Sequence, residues 1–292
     1  MTDTKKLAVF HDMSGYGRCS LTVALPVISA LGVQACPIPT AVLSNHLGFP
    51  VWFERDLTED MPEYIQKWRE LSLQFDGVLI GYLAGSRQME IVTDFVASLG
   101  KPGEEEGKEK SWIFLDPVMG DHGKLYSSCT DEFVQTMKQL AAVSDVIVPN
   151  LTEACLLTDT PYRDICSRKK LQEIGKKLLS MGPSSAVITG ISEGSFLLNL
   201  VCEKKSGDIH FSWIKKKKAG ANRPGTGDIF SAIVAASMLE HRGLAESVSM
   251  AAEFISRAVK RSEMLHTPIQ EGVCFEKELG FLLKNQRKSE IL

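Results

Sequence analysis

The chain has 292 residues, of which 44% are hydrophobic, and it carries a formal net charge of −3. This length suffices for one large α/β domain or two small ones, and the nearly balanced charge argues against binding to nucleic acid or to an anionic membrane surface. No apolar run reaches the ~18 residues that a membrane span requires, so we expect no insertion into a membrane.

The cysteines and the first residues of the chain indicate in which cellular compartment the protein is found. Seven cysteines are scattered along the chain, and none has zinc-ligand spacing to another cysteine or to a histidine. An odd number of dispersed cysteines is typical of free thiols in a reducing environment. The chain runs from its first residues directly into the apolar segment Leu7–Phe10, without the core of a signal peptide. We therefore expect a cytoplasmic protein.

Short apolar segments alternate with segments of helical periodicity. The predicted strands are Leu7–Phe10, Val33–Pro39, Gly77–Tyr82, Trp112–Leu115, Asp145–Val148 and Ser185–Thr189. The predicted helices are Leu21–Leu31, Tyr64–Leu73, Met89–Leu99, Thr130–Ala142 and Leu171–Leu179. This alternation predicts an α/β fold with a doubly wound, mainly parallel central sheet and helices on both faces.

The last third of the chain begins with a predicted β-hairpin. Gly194–Cys202 and Ile209–Lys218 are its strands, and the chain turns near Lys205–Asp208. Four lysines at Lys215–Lys218 indicate a solvated sheet edge that discourages further pairing. The charged segment Lys101–Lys110 predicts a surface loop, and no linker divides the chain. We therefore expect residues 1–292 to form a single domain.

Polar residues stand at or just after the ends of five apolar strand segments. They are Asp12, Tyr82, Asp116, Asn150 and Thr189. In doubly wound sheets, ligands bind beyond the carboxyl ends of the strands, where the strand order reverses. The sequence therefore predicts a small-molecule site at this edge of the sheet.

A glycine-rich turn, Gly225-Thr226-Gly227-Asp228, runs into a segment of small apolar residues, Ser231–Leu239, that predicts a helix. Backbone N–H groups at a helix N-terminus favour an anion, but an acidic residue there would repel a phosphate. The pattern makes sense if Asp228 meets the hydroxyl that attacks a phosphoryl group while the glycine amides hold the developing charge. Asp is also a preferred helix N-cap, so the turn alone is equally compatible with capping.

Two further carboxylates occupy one predicted turn. Asp116 and Asp121 flank Pro117 and Gly120 after a predicted strand, an arrangement that is also compatible with ordinary turn capping. Two acids near a triphosphate require cations between them. They therefore imply Mg²⁺, with a monovalent cation (K⁺ or Na⁺) as a further candidate.

Four segments together resemble the ribokinase-like superfamily and, within it, the branch of pyridoxal and hydroxymethylpyrimidine kinases. They are Ser44–Phe49 (SNHLGF), Asp116–Asp121 (DPVMGD), Asn150–Ala154 (NLTEA) and Gly225–Asp228 (GTGD). The resemblance implies a homodimeric kinase that uses ATP to phosphorylate the 5′-hydroxymethyl group of a vitamin B6 vitamer. Phosphorylation of hydroxymethylpyrimidine or its phosphate is the alternative, and a non-catalytic vitamin- or nucleotide-binding protein is a remote one.

The resemblance also assigns residues to the nucleotide end of the site. It implies that Asp228 accepts the proton of the substrate hydroxyl, assisted by Gly225, Thr226 and Gly227. The residues that it implies for the nucleotide are Asp116, Asn150, Thr189, Asn222, Gly225 and Gly227. The residues that it implies for the metal are Asp116, Asp121 and Glu153. Glu153 is equally compatible with a first-turn acid that complements a helix dipole.

At the substrate end, the resemblance implies Asp12, Gly17, Ser44, His46, Leu47 and Tyr82. Leu47 stands where pyridoxal kinases usually carry threonine, which leaves the pyrimidine substrate open. Tyr82 is expected to cover the ring, although an aromatic residue at a strand end is also ordinary core packing. His46 is expected to face the ring, although it is equally compatible with a hydrogen-bonded loop histidine.

Two other enzyme classes lack essential residues. Gly15-Tyr16-Gly17 after the first strand begins like a dinucleotide-binding fingerprint, but Ser20 occupies the position of its third glycine. No acidic residue near Pro37–Pro39 is available for a ribose. A Walker-type phosphate-binding loop is also absent from the sequence.

Overall fold

The computed structural model describes residues 4–99, 110–162 and 167–286. The strands are β1 (Lys6–Tyr16), β2 (Gln34–Asn45), β3 (Glu54–Asp56), β4 (Gly77–Ile80), β5 (Trp112–Leu115), β6 (Gly120–Asp121), β7 (Lys124–Leu125), β8 (Val146–Ile147), β9 (Ser185–Glu193), β10 (Phe196–Lys205) and β11 (Asp208–Lys217). The helices are α1 (Leu21–Ala30), α2 (Met61–Glu70), α3 (Ser86–Ser98), α4 (Asp131–Ala142), α5 (Leu151–Leu157), α6 (Arg168–Ser180), α7 (Thr226–Leu239), α8 (Leu244–Met264) and α9 (Leu279–Lys284). The predicted loop Lys101–Lys110 lies outside the described residues except for Lys110.

One sheet joins nine of these strands in the order β11-β10-β9-β8-β5-β4-β1-β2-β3. The six strands from β9 to β2 run parallel to one another, while β3 at one edge and the β10–β11 hairpin at the other are antiparallel. The predicted doubly wound α/β fold and its late hairpin are confirmed. The hairpin strand β11, which contains three of the four lysines, is the edge strand, as the sequence predicts.

The core lies on both faces of the sheet because successive strand residues point to opposite sides. Leu7 and Val9 of β1 pack in the cluster that faces α1, α7, α8 and α9, whereas Ala8 and Phe10 pack in the cluster that faces helices α2 to α6. Strands buried on both sides read as continuous apolar runs. This double burial explains why the short apolar segments of the sequence predict the central strands correctly.

The first strand is longer than its sequence predicts. β1 continues beyond Phe10 to Tyr16, so Asp12 lies within a strand rather than directly after one. An irregularity in the pairing with β2 between His11 and Met13 shifts the register, and both His11 and Asp12 are buried. Such irregularities re-aim side chains next to functional sites. Most of the 21-residue helix α8 and the short strand β3 are likewise additions to the predicted elements.

Two negative findings apply to the described residues alone. None of the helices within residues 4–99, 110–162 and 167–286 is both long and apolar enough to cross a membrane. The six cysteines in these ranges are unpaired thiols. That residues 1–292 form a single domain stays a prediction.

Candidate active site

The strand order reverses direction between β1 and β4, which makes the carboxyl ends of these strands the switch point of the sheet. From β1 the chain continues to β2 on one side, while β4, β5, β8 and β9 lie on the other. Crevices at such points are the usual ligand sites of open α/β sheets. The first turn of α7 packs here, because Gly227 lies beside the carboxylate of Asp116 after β5.

A cavity of about 890 Å³ opens at this edge of the sheet. It is lined by every residue that the sequence predicts for catalysis, nucleotide and metal: Asp116, Asp121, Asn150, Glu153, Thr189, Asn222, Gly225, Thr226, Gly227 and Asp228. The structure thus brings together residues from several separate segments of the chain. The predicted substrate residues do not line this cavity; they are Asp12, Gly17, Ser44, His46, Leu47 and Tyr82.

The glycine turn has the geometry of an anion site at a helix N-terminus. Gly225 precedes α7 with φ of +78°, and a Cβ on it would overlap the carbonyl oxygen of Arg18. Gly227 is exposed, and a Cβ there would meet only Asp116 Oδ2, at 3.9 Å. The first turn of a helix leaves its N–H groups without intrahelical acceptors, so these groups are available to an anion in the cavity.

Asp228 does not cap the helix that it begins. The N-cap position of α7 is Gly225, and no side chain caps the helix. The Asp228 carboxylate instead accepts a hydrogen bond from the backbone N–H of Ser20 at 2.6 Å and lies 3.3 Å from Nε2 of His11. Capping therefore does not account for this acidic residue.

His11 is a site residue that the sequence analysis missed. Its ring is 4% exposed and lies between the carboxylates of Asp228 and Asp12, with Nδ1 2.9 Å from Asp12 Oδ1. Burial disfavours the charged ring, but the negative charges of Asp228 and Asp12 outweigh it and raise the pKa of His11 to about 10. The available signal was the His-Asp pair directly after an apolar strand.

Asp116 is a buried acid on the floor of the cavity. Its Oδ2 accepts a hydrogen bond from the hydroxyl of Ser231 at 2.7 Å. Burial, together with the negative charge of Asp228, raises the pKa of Asp116 to about 7. Ser231 is a second missed residue, and it lies one helical turn beyond the glycine motif in α7.

Asn150 and Glu153 form a capping box at the start of α5. The Asn150 side chain accepts from the N–H groups of Thr152 and Glu153, and the Glu153 carboxylate accepts from the N–H of Asn150 at 2.7 Å. The other Glu153 oxygen accepts from the N–H of Met119 at 3.2 Å. Burial and then the charge of Asp116 raise the pKa of Glu153 well above its usual value.

These carboxylates are a donor set of the kind that a hard cation prefers. Asp116 and Glu153 are both buried, and the negative charge of Asp116 acts on Glu153. Asp121 lines the same cavity and has a half-exposed side chain. Among the described residues, no three His, Cys, Asp or Glu side chains converge closely enough to hold a metal alone. The arrangement fits Mg²⁺, which keeps several waters and takes one or two carboxylates.

Most of the predicted substrate residues bond to, or pack against, other groups of the protein. Nε2 of His46 donates to the carbonyl of Gln270 at 2.7 Å, and Nδ1 accepts from the N–H of Gly48 at 3.1 Å. Both ring nitrogens of His46 are therefore occupied, and its ring packs against that of Phe49, with centroids 4.7 Å apart. The ring also packs on Gly17, where a Cβ would stand 2.7 Å from His46 Cδ2.

The remaining residues of this set differ in exposure and bonding. The Ser44 hydroxyl donates to Asn45 at 2.7 Å, and Leu47 is 39% exposed. Tyr82 is half-buried after β4, and burial raises the pKa of its hydroxyl. Asp12 accepts from the Ser14 hydroxyl at 2.9 Å as well as facing His11, so both of its oxygens have partners within the protein.

Arg223, two residues before Gly225, anchors the start of the glycine turn to residues 267–272. The sequence analysis did not predict this anchoring role. Its guanidinium is 3% exposed and donates to the carbonyls of Thr267, Pro268 and Gly272 at 2.9–3.3 Å. It also pairs with Glu263 at 3.1 Å. Buried arginine–carbonyl bonds of this kind fix the backbone that precedes the turn.

Known proteins are similar to this chain in structure or in sequence. A Bacteroides thetaiotaomicron protein provisionally named a phosphomethylpyrimidine kinase, in a crystal form with pyridoxal, has a TM-score of 0.88 and 36% identity, with 96% of each chain covered. Sheep pyridoxal kinase is 29% identical over 79% of this chain and 76% of its own length. The hydroxymethylpyrimidine/phosphomethylpyrimidine kinase of Aquifex aeolicus is 28% identical over 82% of this chain and 84% of its own length.

The sheet, the glycine turn at a helix N-terminus and the carboxylates around it define a ribokinase-like kinase, a phosphotransferase that acts on an alcohol. The family model described as phosphomethylpyrimidine kinase matches residues 25–271. The chain belongs to this family, and the resemblance stated from its sequence is confirmed.

The two glycines of the turn should respond differently to alanine. Gly225→Ala should lower the free energy of unfolding by about 1–3 kcal/mol, because an alanine there would need a positive φ and its Cβ would overlap the carbonyl oxygen of Arg18. Gly227→Ala should leave thermal stability equal or slightly higher, since alanine favours a helix over glycine by about 0.5–1 kcal/mol. It should nevertheless lower the kinase rate, because its methyl group stands over the cavity. Thermal unfolding and ADP release measure both effects; equal stability of the two variants would contradict the requirement for glycine at position 225.

The buried charge of Asp116 gives a pH-dependent test. In the folded chain the Asp116 carboxyl keeps its proton up to about pH 7, whereas in the unfolded chain it loses the proton at about pH 3.9. The folded state therefore loses stability relative to the unfolded state as the pH rises from about 4 to about 7. Asp116→Asn should therefore raise the melting temperature at pH 8, by about 2–4 °C for each kcal/mol relieved, and by less at pH 5. Asp121→Asn, at an exposed carboxylate of the same cavity, is the matched control. An Asp116→Asn variant less stable than the parent at pH 8 would contradict this reasoning.

Proposed function

We propose that this protein phosphorylates the 5′-hydroxymethyl group of a vitamin B6 vitamer (pyridoxal, pyridoxamine or pyridoxine) with ATP, giving the 5′-phosphate for salvage of the coenzyme. The observation that carries the proposal is the Asp228 carboxylate, which lies in the first turn of α7 without capping it and faces the cavity. Support for the vitamer comes from the similarity to sheep pyridoxal kinase and to the Bacteroides protein crystallised with pyridoxal.

Asp228 would accept the proton of the attacking hydroxyl. The hydroxyl oxygen bonds to the γ-phosphorus, the bond from that phosphorus to the β-bridging oxygen breaks, and ADP leaves while the proton passes to Asp228. A carboxylate is a weak base for an alcohol, but this proton leaves late in a loose phosphoryl transfer. Positioning of the carboxylate therefore matters more than its basicity.

The glycine turn would hold the transferring phosphoryl group. The N–H groups of Gly225, Thr226 and Gly227 lie at the N-terminus of α7, where the helix dipole favours negative charge. Gly227 leaves the approach to these groups open, and Gly225, which has no Cβ, lets the turn pack against the carbonyl of Arg18. Preorganised donors of this kind stabilise developing charge at little reorganisation cost.

The remaining residues of the cavity would hold the nucleotide and its cations. When bound, ATP supplies the phosphoryl group, and Mg²⁺ supplies positive charge between the phosphates and the carboxylates. Asp116, Asp121 and Glu153 are the candidate metal residues. Asn150, Thr189 and Asn222 line the same cavity as candidates for the nucleotide, and a monovalent cation (K⁺ or Na⁺) would add to the compensation of charge.

The substrate ring would lie among Asp12, Gly17, Ser44, His46, Leu47 and Tyr82. Leu47, which stands where pyridoxal kinases usually carry threonine, leaves open the second candidate, phosphorylation of hydroxymethylpyrimidine or its phosphate. The family description and the Aquifex relative support that candidate too. We further propose a homodimer, as the resemblance implies. The dispersed cysteines support a cytoplasmic location, and the lack of a dividing linker in the sequence supports one domain per chain.

The substrate is decided by ADP release from ATP and Mg²⁺ with pyridoxal, pyridoxamine, pyridoxine and hydroxymethylpyrimidine. The parent should turn over a B6 vitamer, and Asp228→Asn should lower that rate by at least about 100-fold, the usual contribution of a general base. Asp94→Asn, exposed on α3, is the control.

Each other result has a definite meaning. Turnover with the pyrimidine alone would replace the B6 proposal by the second candidate. No substrate-dependent turnover would favour a binding protein without catalysis. An Asp228→Asn variant that works at the parental rate would contradict the role of this carboxylate.

A further inference from the structure

β1 and the connection that follows it to α1 together hold both oxygens of the Asp228 carboxylate. The backbone N–H of Ser20 donates to Oδ2 at 2.6 Å, and Nε2 of His11 lies 3.3 Å from Oδ1. Both donors come from one short stretch of chain that is more than 200 residues away from Asp228 in sequence. A carboxylate offers about four lone-pair sites, so two remain for a substrate hydroxyl.

The His11 ring can donate to Asp228 in either of its common protonation states. A carboxylate oxygen only accepts, so the proton between the two groups belongs to Nε2. In the neutral ring, Nδ1 then accepts from the N–H of Asp12 at 3.0 Å; in the charged ring, Nδ1 donates to Asp12 Oδ1 at 2.9 Å. The negative charges around the ring favour the charged form.

The neighbouring strand leaves room for this ring. A Cβ on Gly81, directly after β4, would overlap the His11 imidazole, and the N–H of Gly81 donates to the carbonyl of Phe10 at 2.8 Å. The missing side chain at Gly81 therefore lets the ring lie between the two strands at the switch point of the sheet. The ring can neither swing towards β4 nor reach solvent.

Ser20 is held in a backbone conformation that residues with a side chain rarely adopt. Its φ and ψ are 57° and −140°, and its carbonyl accepts the first hydrogen bonds of α1 from Val23 and Ala24. Strained residues of this kind persist where the surrounding structure over-determines them, and they cluster at active sites. The strain here directs the N–H of Ser20 at Asp228.

We propose that His11 is a positioning residue for the phosphoryl transfer: its Nε2–H fixes Oδ1 of Asp228, while the N–H of Ser20 fixes Oδ2, so that the carboxylate meets the substrate hydroxyl in one orientation. This inference rests on the proposed function, because it assigns Asp228 the proton of that hydroxyl. In this role His11 acts through Asp228 and not by contact with the hydroxyl or the phosphoryl group.

Two conservative variants distinguish the hydrogen bond made by Nε2 of His11 from the one made by Nδ1. The amide nitrogen of glutamine reaches about as far as Nε2, so His11→Gln keeps a donor to Asp228. The shorter asparagine reaches only as far as Nδ1, so His11→Asn keeps a donor to Asp12 and loses the one to Asp228. The assay is ADP release with the best vitamer of the parent, beside thermal unfolding of each variant.

We expect His11→Asn to lower kcat by about 10- to 100-fold, which corresponds to the loss of a hydrogen bond to a charged group. The vitamer KM should stay within about 3-fold, and His11→Gln should recover most of kcat, since only a transition-state contact is lost. In the Asp228→Asn background, His11→Asn should add little further loss, because residues that act as a unit are not additive.

Full kcat in a folded His11→Asn variant, or an equal loss in His11→Gln and His11→Asn, would overturn the inference. Should His11→Asn fail to fold, histidine NMR of the parent and of Asp228→Asn replaces it. The contact predicts that the pKa of His11 falls when the carboxylate is neutralised, and an unchanged pKa overturns it.

The proposed function and the role of His11 fail in different experiments. A parent without vitamer-dependent turnover defeats the proposed function. An active parent with an inert Asp228→Asn variant supports that function, and the His11 variants then test the positioning role by itself.

Discussion

The site depends on one contact across the fold: the carboxylate of Asp228, in the first turn of α7, is held by β1 and by the connection between β1 and α1. Ser20 and His11 donate to its two oxygens, and Gly225 packs against the carbonyl of Arg18 in the same connection. The contact joins a helix N-terminus to the strand at which the sheet order reverses. A negative side chain next to a positive helix end is stabilised there, and yet it can still accept a proton from a substrate.

The cavity combines this carboxylate with further buried negative charge. Asp116 and Glu153 are both buried at the cavity, and burial raises the pKa of both carboxyl groups. Such a cluster is costly without cations, which is a usual sign of a functional site rather than of a site selected for stability. The same groups that destabilise the folded chain would become useful when Mg²⁺ and a nucleotide share the cavity.

Much of this architecture could be predicted from local sequence. Apolar runs buried on both faces predict the central strands, and the Gly225–Asp228 turn before a small apolar segment predicts the start of α7. The spacing of Asn150 and Glu153 matches a capping box, so their mutual hydrogen bonds were also open to prediction. These features depend on residues that are close in sequence.

The rest depends on partners that are distant in sequence. His11 meets Asp228 only because β1 and α7 pack at the switch point, and its ring fits only because β4 is followed by Gly81. The extension of β1 depends on its register with β2, which no pattern within β1 encodes. His46 is engaged by the carbonyl of Gln270, a backbone group that carries no sequence signal.

The central claim is that Asp228 serves the reaction and not the fold. Its most direct test is single-turnover transfer from ATP to pyridoxal with protein in excess, with the binding of both ligands measured on the same preparations of parent and Asp228→Asn. We predict that the variant stays folded, binds both ligands within a few-fold of the parent and transfers the phosphoryl group at least about 100-fold more slowly. Transfer at the parental rate by a folded variant that binds both ligands would contradict the claim.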